Sequence, residues 1–170
     1  MNLLALRKLR YGLYVVGSKK GDRLNGMIAN GVTQVSSVPA NFVVSINKEN
    51  LTHEFIKTSR VLSVAVLSQD TPLDFIGRFG FKSGREIDKF EGINYKLGRT
   101  GAPIVLDNTL AYLEANVISE ADLGTHTIFI AQMVDTSVIK EGEPMTYDYY
   151  TDVLRGPTPK RAPLCFEETW

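Results

Sequence analysis

Residues 24–35 read Leu-Asn-Gly-Met-Ile-Ala-Asn-Gly-Val-Thr-Gln-Val, with small and amide side chains set among apolar ones at strand-like spacing. Strand side chains point to alternate faces. Such a segment can turn Met, Ile and Val toward a core and leave Asn, Thr and Gln to face a polar ligand. Downstream, Ser45-Ile46-Asn47-Lys48-Glu49-Asn50-Leu51-Thr52-His53 sets small hydrogen-bonding residues ahead of a helix start at Asn50 or Thr52. Free N–H groups and the positive end of a helix dipole favour an anion there. Together the two stretches point to a ligand that is phosphorylated and partly flat.

The rest of the chain repeats the strand signal. Residues 11–18 and 24–29 flank the polar turn Lys19-Lys20-Gly21-Asp22-Arg23 and predict a hairpin. Residues 31–37, 41–46, 61–67, 111–119 and 127–138 are apolar or alternating runs bounded by Gly, Pro, Asn or Asp. Helical spacing is confined to residues 52–59, with Phe55 and Ile56 inward, and residues 72–79, with Thr71 as N-cap and Pro72 at the first position. The expected fold is mainly β with short helices, a β-barrel rather than a doubly wound sheet. Residues 80–103 read as a long polar loop of the functional or mobile kind. Gly156-Pro157-Thr158-Pro159-Lys160-Arg161-Ala162-Pro163 reads as extended chain. The expected division is one domain over residues 1–150 and a tail over 151–170.

Nineteen basic residues balance nineteen acidic ones, so no global field draws the chain to nucleic acid or an anionic membrane. The lone Cys165 has no internal disulfide partner, and His53 and His126 stand far apart without cysteine neighbours, so no metal site is expected. Arg7, Lys8 and Arg10 interrupt the apolar start before a signal core or membrane span could form. A cytoplasmic protein is the expectation.

Four motifs then fall in order: Asn25-Gly26-Met27, the segment ending in Thr52-His53, Lys82-Ser83-Gly84-Arg85 before Asp88-Lys89-Phe90, and Gly124-Thr125-His126-Thr127-Ile128-Phe129-Ile130. Over residues 11–138 the chain resembles the flavin reductase family with the FMN-binding split β-barrel. The ending resembles the segment that follows the flavin domain in flavoredoxin-like proteins and in fusions to rubredoxin, although no Cys-x-x-Cys pair follows here. The resemblance implies a homodimer with FMN at each barrel's edge, its phosphate gripped at Ala29, Asn30, Asn47, Asn50, Thr52 and Lys82. The wider cofactor set it implies adds Met27, Gly31, Gln34, Ser45, Lys48 and His53, and it places His126 beside the flavin and nicotinamide as the catalytic candidate. Asn30-Gly31 stands where many members carry Ser or Thr, and Thr125 where aspartate is frequent.

Flavin chemistry suits these residue types. Asn, Thr and backbone amides are neutral donors for a phosphate and for a ring edge that gains negative charge on reduction, while the cofactor itself carries the hydride chemistry. No catalytic acid or base is needed. Plainer readings stand beside each motif: Asn-Gly is more often turn chemistry, Thr52 a helix cap, and Lys82, Arg85 and Lys89 a solvated run balanced by Glu86, Asp88 and Glu91. Of that run only Lys82 is assigned to the site. Phe79, Phe81 and Phe90 are expected to anchor the loop. The expected activity is electron transfer from NADH or NADPH through FMN to free flavin, rubredoxin, a monooxygenase or another acceptor. An FMN electron carrier without efficient nicotinamide oxidation is the alternative, and a split barrel holding haem or pyridoxal phosphate is a third.

Overall fold

The β-branched runs pair into one antiparallel sheet. In the computed structural model, which describes residues 3–158, the strands are β1 (Tyr14–Lys20), β2 (Arg23–Ala29), β3 (Val32–Ser37), β4 (Ala40–Asn47), β5 (Val61–Leu67), β6 (Tyr95–Leu97), β7 (Pro103–Val105), β8 (Thr109–Asp122) and β9 (His126–Val138). The α-helices are α1 (Leu51–Ser59) and α2 (Leu73–Gly80), and single short 3-10 and π segments lie at Leu3–Lys8 and Tyr149–Val153. Seven strands form one sheet in the order β2-β1-β5-β8-β9-β4-β3, and β6 and β7 form a separate hairpin. The sheet curls around Val16, Val44, Ile46, Val64, Ala115 and Phe129, contributed by strands from across its width. The result is the split β-barrel expected from the chain, with β2 and β3 as edges that do not pair with each other.

Two strands are buried on both faces. Val16 and Val64 face the barrel interior, whereas Val15 and Ala65 face an outer core of Phe75, Ile76, Phe79, Phe90 and Met145. That is why β1 and β5 read as near-continuous apolar runs rather than alternating ones. The outer core holds α2 against the barrel, and Phe79, 1% exposed, packs its ring 5.2 Å from Phe75 and 5.7 Å from Phe90. Ile56 of α1 joins the inner core.

Several local expectations are corrected. The first hairpin turns on Gly21 and Asp22 alone, because Lys20 pairs with Arg23 and Gly21 takes φ 59°. Asn25 and Met27 share one face of β2 with Ala29 while Leu24 and Ile28 face the outer core, since a period of two separates neighbours and not polar from apolar types. Thr71 does not cap α2: the N-cap is Pro72, and the Thr71 hydroxyl donates to the Ser68 carbonyl at 2.6 Å. Residues 80–103 are not one long loop. They contain β6 and are pinned by buried Lys89 and Phe90. Pro159, Lys160, Arg161, Ala162, Pro163, Cys165 and Trp170 lie outside the described residues. Among the described residues no helix is long and apolar enough to cross a membrane.

Phe79→Ala removes the ring that ties α2 to the loop and to β2. An unfolding free energy lower by about 3–5 kcal/mol is expected in urea titrations, the usual cost of an aromatic-sized core cavity.

Candidate functional site

The cleft begins where β3 stops. β3 pairs with β4 only as far as Val32 opposite Val44, so Ser45, Ile46 and Asn47 run on without a β3 partner. Asn30 and Gly31 cross from β2 to β3 at that point, and the Ser45 N–H donates to the Gly31 carbonyl at 2.8 Å. Between this projecting end of β4 and the edge of β2 lies a cleft walled also by the last turn of α2.

One half of the cleft is apolar and narrow, about 60 Å³, with Leu13, Ile28, Ile76, Phe81, Tyr147 and Tyr150 on its walls and Asn30, Ser45, Asn47 and Asn50 along its rim. Tyr150 donates its hydroxyl to the Pro157 carbonyl at 2.7 Å, and burial, with Tyr147 adding to it, pushes its phenol above the ordinary value. Asn30 is 5% exposed and its side-chain oxygen is buried without a partner among the described residues. An unpartnered buried amide is costly and marks a place where a ligand atom completes the bonding.

The other half is polar, about 430 Å³, and is enclosed by Asn50, Thr52 and the loop carrying Lys82, Ser83, Gly84, Arg85 and Lys89. Its shape follows from local chemistry. The Asn47 side chain accepts from the Glu49 N–H at 2.9 Å, an Asx turn that leads into α1, and Asn50 is the N-cap residue without using its side chain to cap. Asn25 donates to the Thr52 hydroxyl at 2.8 Å, so Thr52 keeps its own O–H to donate. Gly84 allows the loop to lie on this pair, since a Cβ there would stand 2.0 Å from the Asn25 side-chain oxygen.

Charge in this half is positive. The Lys82 backbone N–H donates to the Gly77 carbonyl at 3.4 Å, and its ammonium forms no hydrogen bond or ion pair among the described residues. Arg85 donates to the Glu49 carbonyl at 3.3 Å and lies 3.8 Å from the Glu54 carboxylate. Lys89 is 5% exposed and donates to the Gly26 and Phe79 carbonyls at 3.0 and 2.9 Å. Burial lowers its pKa to about 8.

The cleft thus gathers Met27, Ala29, Asn30, Ser45, Asn47, Asn50, Thr52 and Lys82 of the residues singled out from the sequence. Five others stand away from its walls. Gly31 supports the crossing through Ser45. Gln34 is exposed on β3, turned to Ser36 and Ser37. Lys48 pairs with Asp122 at 2.6 Å. His53 bonds Thr127 at 2.8 Å beside the Phe129 ring, and burial, then Lys57, lowers its pKa. His126 opens β9 opposite Asn47; its Nδ1 lies 2.9 Å from the Thr125 hydroxyl and its Nε2 is buried without a partner among the described residues.

Sequence reasoning missed Tyr147, Tyr150, Arg85 and Lys89 as cleft residues. Arg85 and Lys89 sat inside a motif already singled out, and the tyrosine cluster Tyr147-Asp148-Tyr149-Tyr150 is itself an unusual aromatic concentration. The donor set fits a flavin nucleotide: cations and neutral donors for a phosphate at one end, an apolar slit with an unpartnered amide at the other.

Residues 6–156 match the family described as Flavin reductase like domain. The chain is 56% identical over 163 residues to the high molecular weight rubredoxin of Moorella thermoacetica, covering 96% of this chain and 71% of that protein. It is 45% identical over 167 residues to the ferric-chelate reductase (NAD(P)H) of Archaeoglobus fulgidus, covering 98% and 99%. The fold superposes with a TM-score of 0.71 on a crystal structure of the FMN-binding protein from Thermus thermophilus with bound p-hydroxybenzaldehyde, at 29% identity over 78% of this chain and 74% of that one.

Gly84→Ala forces the loop or Asn25 to move and breaks the Asn25–Thr52 bond. Thermal unfolding is expected to show a loss of about 1–2 kcal/mol, and a wild-type melting curve would contradict the close approach.

Proposed function

The chain belongs to the flavin reductase like family, and from that membership and the two-part chemistry of the cleft we propose that it binds FMN and works as an NAD(P)H-dependent oxidoreductase, delivering electrons to free flavin or to a protein acceptor such as rubredoxin. The observation that carries this reading is the junction of a cationic, donor-rich half with an apolar slit at one break in the barrel. When bound, the flavin supplies the two-electron chemistry, accepting hydride from a nicotinamide.

The chain's own residues position and polarise. Lys82 and Arg85 supply charge to the phosphate, and Asn50 and Thr52 supply neutral donors. The Asn30 side-chain oxygen, without a partner among the described residues, accepts from the ring's polar edge, and Ile28, Ile76 and Tyr150 keep water from its face. A ferric-chelate reductase (NAD(P)H) is one relative and a high molecular weight rubredoxin another, which favours an acceptor that is small or protein-borne over a bulky organic substrate.

The slit supports a homodimer. Its 60 Å³ is well below the roughly 300–1,000 Å³ of a pocket for a drug-sized ligand, so a tricyclic ring needs a further wall. A second copy supplies it by covering the exposed edge strand β3, whose Val35 is 54% exposed. His126, outside the cleft walls but opposite Asn47 on β4 and with its Nε2 unpartnered among the described residues, is assigned to the electron-entry side of the site.

Titration of the purified apo protein with FMN, followed anaerobically by NADH or NADPH, tests the reading. Saturable binding and bleaching of the flavin absorbance are expected; binding without bleaching would reduce the protein to a carrier, and no binding would overturn the proposal. Lys82→Ala is expected to weaken FMN roughly fivefold at low ionic strength and less at high, because an exposed lysine–phosphate contact is screened. Equal weakening at every salt concentration would assign Lys82 to loop structure instead.

A further inference from the structure

Lys89 is a buried cation without a counter-ion. Its ammonium is tied to two neutral carbonyls, Gly26 on β2 and Phe79 in the last turn of α2, and it forms no ion pair among the described residues. The acids nearby are otherwise engaged or turned elsewhere. Glu54 on α1 pairs with Lys20 at 2.5 Å, and Asp88 accepts from the Phe90 N–H at 2.9 Å. Glu86 lines the same half of the cleft but forms no bond with Lys89. The remaining charges around it, Lys82 and Arg85 on the loop, are also positive, and Arg78 on α2 turns to the Glu91 carbonyl.

Burying an ammonium away from water is expensive unless an opposite charge attends it. Two carbonyl dipoles satisfy two of its three N–H donors and leave the net charge uncompensated. The protein bears that cost at one position only among its described lysines, the one that lines the polar half of the cleft. A phosphate dianion in that half would supply the missing charge.

We propose that Lys89 is a phosphate-binding residue whose counter-ion is the ligand itself, so that binding of the phosphate end and protonation of this lysine are one linked event. The inference rests on the flavin reading above and deepens it by adding to Lys82 and Arg85 a buried group that favours a phosphorylated flavin over an unphosphorylated one. The direction of linkage follows from burial. Without ligand the ammonium loses its proton near pH 8, well below an ordinary lysine; a bound dianion raises that value again. Phosphate binding therefore takes up a proton above about pH 8 and weakens as pH rises further. The ligand's own second phosphate ionisation, near about pH 6, is complete before this range. Lys89 also joins the two walls through Gly26 and Phe79.

The affinity ratio of FMN to riboflavin, measured on the wild-type protein from about pH 6.5 to about pH 9.5, isolates the phosphate, because any titration of the ring enters both ligands. The ratio is expected to stay level to about pH 8 and then to fall toward tenfold per pH unit. Calorimetry in buffers of different ionisation enthalpy is expected to show proton uptake on binding FMN near pH 9, approaching about one per site, and none of that uptake on binding riboflavin. In Lys89→Met the ratio becomes independent of pH, whereas in Lys82→Ala the step remains. The wild-type ratio and proton uptake carry the test if Lys89→Met does not fold. Binding of both ligands with a level ratio and no proton uptake would overturn the role of Lys89 alone. Failure of both ligands to bind near pH 7 would overturn the flavin reading and this inference with it.

Discussion

The two edges of the barrel sheet, β2 and β3, are consecutive in the chain and joined by Asn30 and Gly31 alone. Two residues hold the edges together at one point and cannot pair them along their lengths. The barrel must therefore stay open beside that crossing, and β4, running on past the start of β3, offers Ser45 and Asn47 to the opening. A sheet edge left in this state exposes polar backbone and invites a partner. Here the opening is walled by α2, by the loop after it and by the C-terminal tyrosines, so the break in the sheet becomes a cleft with chemistry of its own.

What holds those walls is a second core outside the barrel. β1 and β5 are buried on both faces, and the outer one carries α2 through Phe75, Ile76 and Phe79. The loop is then fixed to α2 and β2 by Phe90 and by the Lys89 ammonium. The contact between Asn25 and Thr52 fixes α1 against β2 from the other side. Apolar packing supplies the stability, and these few buried polar contacts set the geometry of the cationic half. The arrangement resembles a site whose last bonds are left for a ligand: among the described residues the Asn30 side-chain oxygen has no donor and Lys89 has no counter-charge.

Much of this was legible in the residues. β5 occupies the residues its apolar run marks out, and β4, β8 and β9 extend theirs by a few residues, because β-branched runs between turn residues leave little choice of structure. Met27, Asn30, Asn50, Thr52 and Lys82, which the family resemblance implies as cofactor contacts, line one cleft. Other placements depended on tertiary pairing. β1 begins at Tyr14 rather than residue 11 because Tyr11 and Leu13 bond to Tyr147 and Met145, contacts with no local signal. His53 follows Thr52 in sequence, yet about 100° of helix rotation separates them, and His53 turns to Thr127 instead of the cleft. Lys89 reads as one member of a charge run, since burial of a lysine leaves no mark in composition; only the packing of Phe79 and Phe90 around it reveals its place.

The family membership, the break in the barrel and the positive half of the cleft support the proposal that a flavin nucleotide lies across the β2–β3 crossing. Amide hydrogen exchange of the apo protein with and without saturating FMN tests that placement most directly. The account predicts slowed exchange in residues 26–31, 45–52 and 79–86, the segments that bound the cleft. Protection confined to the β8–β9 hairpin at residues 120–126, with those three segments unchanged, would contradict it.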